Sequence, residues 1–291
     1  MAQTLSEIKS LLATHGLHPR HRLGQNFLHD ANQMARIIDA AALKDGDLVL
    51  EVGPGTGALS ERLLDAGARL AMVEIDGGLE PILRQRVLER RPDRARLLIA
   101  DVLAGKHDIN PAVRQLLDEV RERATPDPAR RSSSPVAFKL IANLPYNVAS
   151  PLLANLVLDH PEMMLAVVMI QREVADRLAA EPGGKDYGPL GILVQAACHV
   201  EQIAVLTPGC FWPAPKVDSA VVRLRRRMEP LAPDLKALSH LLHTLFSKRR
   251  KQIGSILGRN NVLPAAIDPT ARPEQLTIEQ FVALAASVPL K

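Results

Sequence analysis

A buried strand that runs into a glycine-rich turn sets the main constraint on the fold. Residues 47–52 (DLVLEV) are mostly apolar and are followed at once by a Gly-Pro-Gly-Thr-Gly turn at 53–57, after which a helical pattern extends to about Ala66. Glycines let the backbone approach a ligand closely, and the amides at the start of a helix face that ligand. Together with the next strand, at residues 69–74, this unit predicts a site for a ligand that contains a nucleotide.

The alternation of strand and helix continues along most of the chain. Further strands are predicted to end at 97–100 and to span 138–142, 165–170, 200–206 and 219–225. This order predicts a mostly parallel sheet flanked by helices. The last two strands alternate apolar and polar residues, which indicates a partly exposed, antiparallel edge. From about Leu231 only helices are predicted, so we expect two domains, at residues 1–230 and 231–291.

The composition is that of a globular protein of the cytoplasm. Hydrophobic residues make up 47% of the chain, which is enough for a core, and 23% charged residues argue against disorder. Cys198 and Cys210 form no Cys-x-x-Cys pair, so we expect neither a structural disulfide nor a zinc knuckle. No long apolar run is present, at the start or elsewhere, so we expect neither a signal peptide nor a membrane span.

Positive charge is concentrated in one part of the chain. Residues 211–260 contain 11 Lys/Arg and 3 Asp/Glu, a balance of +8, whereas the whole chain carries +4, so the remainder carries −4. Such a segment is either a solvated helix face or a surface for a polyanion such as RNA.

Two carboxylates lie where a nucleotide would be held. Glu74 ends a strand about twenty residues after Gly53, which is the position of a ribose-binding acid in this architecture. Asp101 follows the next strand and faces the same edge of the sheet. The pattern Gly53, Gly55, Ala58 also fits a dinucleotide fingerprint, although that pattern alone has low specificity.

The tetrapeptide Asn143-Leu144-Pro145-Tyr146 follows a predicted strand and carries the strongest chemical signal. The Asn143 amide oxygen and the Leu144 carbonyl are acceptors, and Tyr146 offers a flat face. Two acceptors beside an aromatic ring suit the exocyclic amino group of a stacked base. A simple turn at the end of a strand is the alternative, since Asn and Pro favour turns. Ser150 and Pro151 predict that a helix begins there.

Aromatic residues are scarce, yet half of them fall in candidate loops. The chain has eight, and four of these are Phe27, Tyr146, Phe211 and Trp212. Phe211 and Trp212 open a loop stiffened by prolines. This clustering favours stacking on a base.

These motifs resemble one family over nearly the whole chain, the S-adenosylmethionine-dependent rRNA adenine N6-dimethyltransferases, and most closely its bacterial small-subunit (16S) branch of the KsgA/RsmA type. The motifs are LGQNFL at 23–28, EVGPGTG at 51–57, VEID at 73–76, Asp101, NLPY at 143–146, PAPKVDSAV at 213–221 and KRRK at 248–251. The first, NLPY and the loop at 213–221 are the most specific. The resemblance implies a Rossmann-like class I sheet of seven strands with a reversed last hairpin, plus a small helical domain that binds the RNA substrate.

The resemblance also implies roles at matching positions. Catalytic residues are Asn143, Leu144, Pro145, Tyr146 and Phe211, with Tyr146 and Phe211 on either side of a flipped adenine. Contacts to S-adenosylmethionine are assigned to Gln25, Asn26, Leu28, Gly53, Gly55, Glu74, Ile75, Asp101, Val102 and Asn143. Contacts to RNA are assigned to Arg225, Arg226, Arg227, Lys248, Arg249, Arg250 and Lys251. No metal is needed, because a sulfonium methyl group is already activated.

The implied substrate is two adjacent adenines in a hairpin loop near the 3′ end of small-subunit rRNA, each dimethylated within a pre-30S-like particle. We expect a monomer. The segment 104–135 is longer than is usual in the family; within it we expect a helix near 111–123 and then an exposed loop.

Three other interpretations fit part of the sequence. NLPY also suits a large-subunit rRNA adenine enzyme of the antibiotic-resistance type or a DNA adenine enzyme. The glycine pattern alone suits an NAD-dependent dehydrogenase. A ribosome-assembly protein with a vestigial cofactor pocket would keep the same fold, although the complete set of site residues argues against it.

Overall fold

A computed structural model describes residues 3–105, 108–123, 136–258 and 263–287. The strands in these residues are β1 (Phe27–Leu28), β2 (Leu48–Val52), β3 (Arg69–Glu74), β4 (Ala95–Ile99), β5 (Phe138–Asn143), β6 (Met163–Gln171), β7 (Cys198–Leu206), β8 (Phe211–Trp212) and β9 (Ser219–Arg226). Seven of them form one sheet in the order β4-β3-β2-β5-β6-β9-β7, and β1 pairs with β8 in a separate ribbon.

The sheet is parallel except at one edge. Strands β4, β3, β2, β5 and β6 run parallel, whereas β9 is antiparallel to both of its neighbours, β6 and β7. This confirms the predicted class I order with its reversed last hairpin. All five residues of β2 are buried, as expected for a central parallel strand covered on both faces.

Alternate residues of the strands build a core on each face of the sheet. Leu48 and Leu50 of β2 face a cluster that includes helices from the second half of the chain, whereas Val49 faces the other cluster. This division follows from the two-residue repeat of a strand. The sheet is therefore the middle of three layers.

The helices are α1 (Leu5–Thr14), α2 (Ala31–Ala41), α3 (Ala58–Asp65), α4 (Glu80–Leu83), α5 (Pro111–Glu122), α6 (Tyr146–Asp159), α7 (Arg172–Leu178), α8 (Pro189–Ala197), α9 (Leu235–Phe246), α10 (Ile253–Leu257) and α11 (Ile278–Ser287). Buried side chains of α1 to α4 lie on one face of the sheet, and those of α5 to α9 lie on the other. Within the described ranges no helix is long and apolar enough to cross a membrane.

Helix α6 begins earlier than its sequence predicts. The pair Ser150–Pro151 was expected to start the helix, but α6 starts at Tyr146 and Pro151 lies inside it. The Pro145 carbonyl accepts from the amides of Val148 and Ala149 at 2.9 and 3.2 Å, which forms the first turn directly after the strand. Pro151 is the sixth residue of α6, and because it has no N–H it removes one hydrogen bond from the helix. NLPY therefore passes directly from strand to helix.

Helices α9 and α11 pack on α8 and share its core. Leu238, Leu241 and Leu245 of α9 and Phe281 of α11 belong to the same apolar cluster as α8. A Thr-x-x-Gln sequence at 277–280 predicts a capping box at the start of α11, and it is present, with Gln280 N donating to Thr277 Oγ1 at 3.3 Å and Thr277 N donating to Gln280 Oε1 at 2.9 Å. The domain division at residues 230 and 231 stays a prediction. The predicted loop after α5 lies largely outside the described residues.

Candidate active site

A pocket opens at the carboxyl ends of β2, β3, β4 and β5, at the point where the strand order reverses direction. Its wall is drawn from segments far apart in sequence. The site residues predicted from sequence that line it are Gln25, Asn26, Leu28, Gly53, Gly55, Glu74, Ile75, Asp101, Val102, Asn143, Leu144, Pro145 and Tyr146. The structure thus brings together every predicted cofactor contact and four of the five predicted catalytic residues.

The glycine turn forms the floor of the pocket. Gly53 and Gly55 have φ values of 71° and 61°, which disfavour other residues. A Cβ atom on Gly55 would lie 3.0 Å from the Phe27 ring, so the turn and the segment at 23–28 are packed against each other. The absence of a side chain here keeps the pocket open between these two segments.

Glu74 presents a buried carboxylate next to the glycine turn. Its oxygens accept from the backbone amides of Gly55 at 3.2 Å and Asp76 at 2.9 Å. Burial raises the pKa of Glu74 above its usual range, while these two amides act in the opposite direction. Each oxygen keeps a lone pair with which it can accept a hydroxyl group of a ligand.

Glu51 is a second buried carboxyl on the pocket wall, and the sequence analysis assigned it no role. Ser60 Oγ donates to Glu51 Oε2 at 2.6 Å. Burial, with a smaller contribution from the nearby charge of Glu74, raises the pKa of Glu51 to about 8. Glu51 is therefore largely protonated at neutral pH, so the pocket carries less negative charge than its sequence indicates.

The rim of the pocket combines apolar and acidic groups. Ile75 is 46% exposed although it is a large apolar residue, and Val102 is buried. Asp101 is exposed, and its Oδ1 accepts from the amide of Leu103 at 2.9 Å, which fixes the carboxylate at the end of β4. An apolar side chain beside a fixed carboxylate suits a planar ring with an amino group.

The segment at 23–28 is held over the pocket by a polar cluster that the sequence analysis did not find. Gln25 Nε2 donates to Asp76 Oδ2 at 2.8 Å, and Gln25 Oε1 accepts from the amide of Arg20 at 2.8 Å. Arg20 forms an ion pair with Asp76 at 2.8 Å. Asp76 belongs to the recognised VEID motif and is 3% exposed, yet its sequence position gave no indication of partners more than fifty residues away.

Asn143 connects the NLPY loop at 143–146 to the segment at 23–28. Its Nδ2 donates to the backbone carbonyl of Asn26 at 2.9 Å. Asn143 lines the pocket, and Oδ1 remains as its acceptor. Pro145 packs against Gly53 of the glycine turn and against Gly24 of the segment at 23–28. Cβ atoms on these two glycines would be 3.4 and 3.7 Å from the Pro145 ring.

Tyr146 is fixed through its hydroxyl. The Tyr146 oxygen lies 2.8 Å from Ser219 Oγ, and Ser219 is fully buried at the start of β9. Burial raises the pKa of Tyr146, so the hydroxyl stays neutral and the ring is held by its tip. Its aromatic face is therefore available to the pocket.

Phe211 has a different place from that expected. It is 3% exposed and pairs through its backbone with Leu28 in the ribbon, and it is absent from the pocket wall formed by described residues. Its neighbour Trp212 stacks on Phe27, with 6.5 Å between ring centroids, and Lys9 Nζ lies 5.3 Å from the Trp212 ring. The ribbon thus connects Phe211 to the cofactor segment through the backbone.

The three arginines at the end of β9 differ in their surroundings. Arg225 is exposed. Arg226 Nη2 donates to the Val157 carbonyl at 3.0 Å, and Arg227 Nε donates to the Gln195 carbonyl at 3.0 Å. Arg226 and Arg227 therefore each bind a backbone carbonyl of a neighbouring helix.

The basic run at 248–251 follows Ser247, a residue type that favours helix starts, and its sequence therefore predicts the start of a helix, but the structure has none there. It lies in successive turns between α9 and α10, in which the amide of Lys251 donates to the carbonyl of Lys248 at 2.8 Å. Three members of the run are exposed, whereas Arg249 turns inward and donates to the carbonyls of Lys185 and Gly184 at 3.2 and 3.3 Å.

The strand order, the glycine turn and the acids at the strand ends define a class I, S-adenosylmethionine-dependent methyltransferase. Residues 16–288 match the family model for ribosomal RNA adenine dimethylase. The chain therefore belongs to the ribosomal RNA adenine dimethylase family, as its motifs suggested.

Curated relatives support this membership. A Pseudomonas aeruginosa protein named ribosomal RNA small subunit methyltransferase A is 40% identical over 273 residues, which cover 91% of this chain and 93% of that protein. A Nocardia farcinica protein of the same name is 39% identical, with 97% and 94% covered.

Solved structures share the fold. A dimethyladenosine transferase from Plasmodium falciparum has a TM-score of 0.68 at 24% identity, covering 89% of this chain and 95% of that one. The 23S rRNA methyltransferase ErmE has a TM-score of 0.65 at 26% identity, covering 90% and 99%.

Proposed function

We propose that this protein transfers methyl groups from S-adenosylmethionine to N6 of adenines in small-subunit rRNA. The observation that carries this proposal is the Asn143 side chain, which lines the pocket and whose Nδ2 is bound to the Asn26 carbonyl, so that Oδ1 is its remaining acceptor. Curated relatives of this length and similarity are named for small-subunit rRNA. More specifically, the proposed substrate is two adjacent adenines in a hairpin loop near the 3′ end of this rRNA. Each adenine would be dimethylated during small-subunit biogenesis.

The pocket fits S-adenosylmethionine. A ligand chain can pass over the turn at Gly53 and Gly55, which lack side chains. Glu74 would accept from the ribose hydroxyls, and Asp101 from the adenine amino group, with Ile75 and Val102 beside the ring. Gln25, Asn26 and Leu28 would cover the methionine end. When bound, the cofactor supplies an electrophilic methyl group on a sulfonium.

The protein's part is to hold the target nitrogen in line with that methyl group. Asn143 Oδ1 and the Leu144 carbonyl would accept the two N6 hydrogens, so that the nitrogen lone pair points at the methyl carbon. Pro145 keeps this loop against the glycine turn. The adenine must leave its stack to reach the pocket, which costs least in a loop.

Tyr146 and Phe211 are the proposed aromatic pair around the flipped adenine. Tyr146 already lines the pocket and is anchored by Ser219. Phe211 would have to turn out of its buried position, together with the ribbon that it forms with Leu28. Binding of RNA would therefore be coupled to a rearrangement of the cofactor segment.

The RNA is proposed to bind the basic residues near the junction of the sheet and the C-terminal helices. Those residues are Arg225, Arg226, Arg227, Lys248, Arg249, Arg250 and Lys251. Contacts to phosphates release counterions, so binding should weaken steeply with salt. We further propose that residues 1–230 carry the chemistry, that residues 231–291 bind substrate, and that the protein acts as a cytoplasmic monomer on a pre-30S-like particle.

The test is the transfer of labelled methyl from S-adenosylmethionine to small subunits that lack the modification, followed by digestion to nucleosides. We expect N6,N6-dimethyladenosine with the native protein and none with Asn143→Ala. Label in large-subunit RNA or DNA, with none in small subunits, would mean that the substrate is a different nucleic acid while the proposed methyl transfer stands. Cofactor binding without any transfer would point to an assembly protein with a vestigial pocket.

A further inference from the structure

A second cavity, distinct from the methyl-transfer pocket, lies between helices α6, α7 and α8 and the end of α9. Its wall includes Ser150 of α6, the start of α8, and the side chains of Arg177, Lys185 and Arg249. Of its lining residues, only Arg249 was assigned a contact to RNA by the sequence motifs. Its lining shows what kind of ligand it suits.

Positive charge dominates the lining. Arg177, Lys185 and Arg249 contribute three cations, and Asp186 contributes one carboxylate. Lys185 is exposed and its ammonium forms no ion pair with any residue that the structure describes. An uncompensated lysine beside two fixed arginines favours an anion.

The two arginines are held in place by the protein. Arg249 donates to two backbone carbonyls, and its nearest carboxylate, Glu274, is 3.7 Å from Nε. Arg177 is paired with Glu173 one turn earlier on α7. Because these guanidinium groups are already positioned, little conformational entropy would be lost when an anion binds.

Helix α8 contributes backbone donors at the same place. Gly188 is its N-cap and has no side chain that could cap the helix, and Pro189 occupies the first position. The amides of Leu190 and Gly191, which belong to the first turn, therefore lack a side-chain cap, and both residues line the cavity. Free amides at a helix start bind phosphate groups, because the helix dipole favours negative charge there.

The cavity is close to the proposed target site. Ser150 lies four residues after Tyr146 on α6, so the two positions are about 6 Å apart along the helix axis. We propose that this cavity binds a phosphodiester group of the RNA strand that carries the target adenine, a proposal that rests on the function proposed above. It would hold the backbone while the base is in the pocket.

The test compares Lys185→Gln with a matched control, Lys44→Gln, in the full-length protein. Both lysines are exposed, and Lys44 lies in the loop before β2, at the opposite end of the sheet. Affinity for unmodified small subunits is measured against salt concentration. We expect Lys185→Gln to reduce the slope of log affinity against log salt by about 1, as for one lost phosphate contact. Lys185→Arg should restore it, and cofactor affinity should stay unchanged.

Two results would overturn the proposal. One is a Lys185→Gln slope equal to that of Lys44→Gln, whether both slopes are native or both are reduced. The other is an unchanged RNA slope while inorganic phosphate stabilises the native protein and not Lys185→Gln, which would make the cavity a site for free anion alone. Failure of the proposed function has a different signature, because the native protein would then transfer no methyl to small subunits.

Discussion

Asn143 Nδ2 donates to the backbone carbonyl of Asn26 across 117 residues of sequence, at a distance of 2.9 Å. This hydrogen bond decides which end of the amide faces the target, because a nitrogen that is already bound leaves the oxygen free. It also ties the loop after β5 to the segment that covers the cofactor. The target site is therefore complete only when that segment is in place.

Asn143→Ala should retain cofactor affinity within a few-fold and reduce the rate of methyl transfer by about a hundredfold or more. The estimate follows the effect of removing one preorganised hydrogen-bonding group from an active site. Calorimetry gives the affinity and single-turnover transfer gives the rate. A near-native rate would remove Asn143 from the mechanism.

Asn143→Asp distinguishes the effect of the amide donor from that of the amide acceptor. It keeps an acceptor but loses the donor to Asn26, and its carboxylate would be repelled by that carbonyl. We expect a rate as low as that of Asn143→Ala. If Asn143→Asp is close to native in rate, the hydrogen bond to Asn26 does not orient the acceptor.

Ser219 should matter only through Tyr146. Removing the hydroxyl partner leaves the buried tip of the tyrosine unsatisfied, and one neutral hydrogen bond contributes about 1 kcal/mol, or about a fivefold change. We expect Ser219→Ala to raise KM for rRNA by about that factor without changing cofactor affinity. In a Tyr146→Phe background, Ser219→Ala should have no further effect. Additive effects in this double-mutant cycle would show that Ser219 acts elsewhere.

Local signals in the sequence predicted most of the sheet. Strand β3 spans Arg69–Glu74 as expected, and Asp30 caps α2 by accepting from two amides at 2.9 and 3.0 Å. The predicted start of α6 was wrong. Ser150 and Pro151 are residue types that favour the start of a helix, so the sequence placed the start there. The strand end and Pro145 override it by forming the first turn five residues earlier. The preference of individual residues for a helix start is overridden where tertiary structure fixes the backbone.

The contacts that orient the site were not predictable in the same way. Gln25 with Asp76, and Tyr146 with Ser219, are pairs 51 and 73 residues apart. A single sequence indicates residue types that suit a site but not which distant partner each side chain has. The burial of Phe211 is of the same kind, since it depends on the ribbon with Leu28.

The exposed part of the basic run should govern affinity for RNA. Replacing Lys248, Arg250 and Lys251 with Gln, while keeping the inward-facing Arg249, removes three surface charges without breaking its hydrogen bonds. We expect weaker binding of small subunits and a flatter salt dependence, with native cofactor affinity. Filter binding at several salt concentrations measures both, and unchanged RNA affinity would identify the run as a solvated surface.

Glu51 should make the protein less stable as the pH rises. The pKa of Glu51 is about 8 in the folded protein and near its usual 4.5 when unfolded. Between these values the folded state binds more protons, so the free energy of unfolding falls as the pH rises from about 4.5 to 8, by up to about 1.4 kcal/mol per pH unit from this group. Below about 4.5 the group is protonated in both states and contributes no slope.

Glu51→Gln is the matched variant for this effect. The amide keeps the shape and can still accept from Ser60, but it does not titrate. Denaturant unfolding at pH 5.5 and 8 should show a gain in stability of the variant over the native protein that is larger at pH 8. A gain that is equal at both pH values, or no gain, would mean that Glu51 is ionised in the folded protein throughout this range.

Gly55→Ala should weaken cofactor binding through Phe27. The new Cβ would lie 3.0 Å from the Phe27 ring, which forces the ring or the glycine turn to move, and the φ of 61° adds strain of about 1 kcal/mol. Gly46→Ala is the control, because its φ of 83° causes comparable strain while its Cβ would have no atom within 4 Å. We expect both variants to lose stability, Gly55→Ala more than Gly46→Ala, but only Gly55→Ala to lose affinity for S-adenosylmethionine, by tenfold or more (about 1.4 kcal/mol) in calorimetry. If the two variants bind the cofactor equally well, the contact between the glycine turn and the segment at 23–28 does not shape the cofactor site.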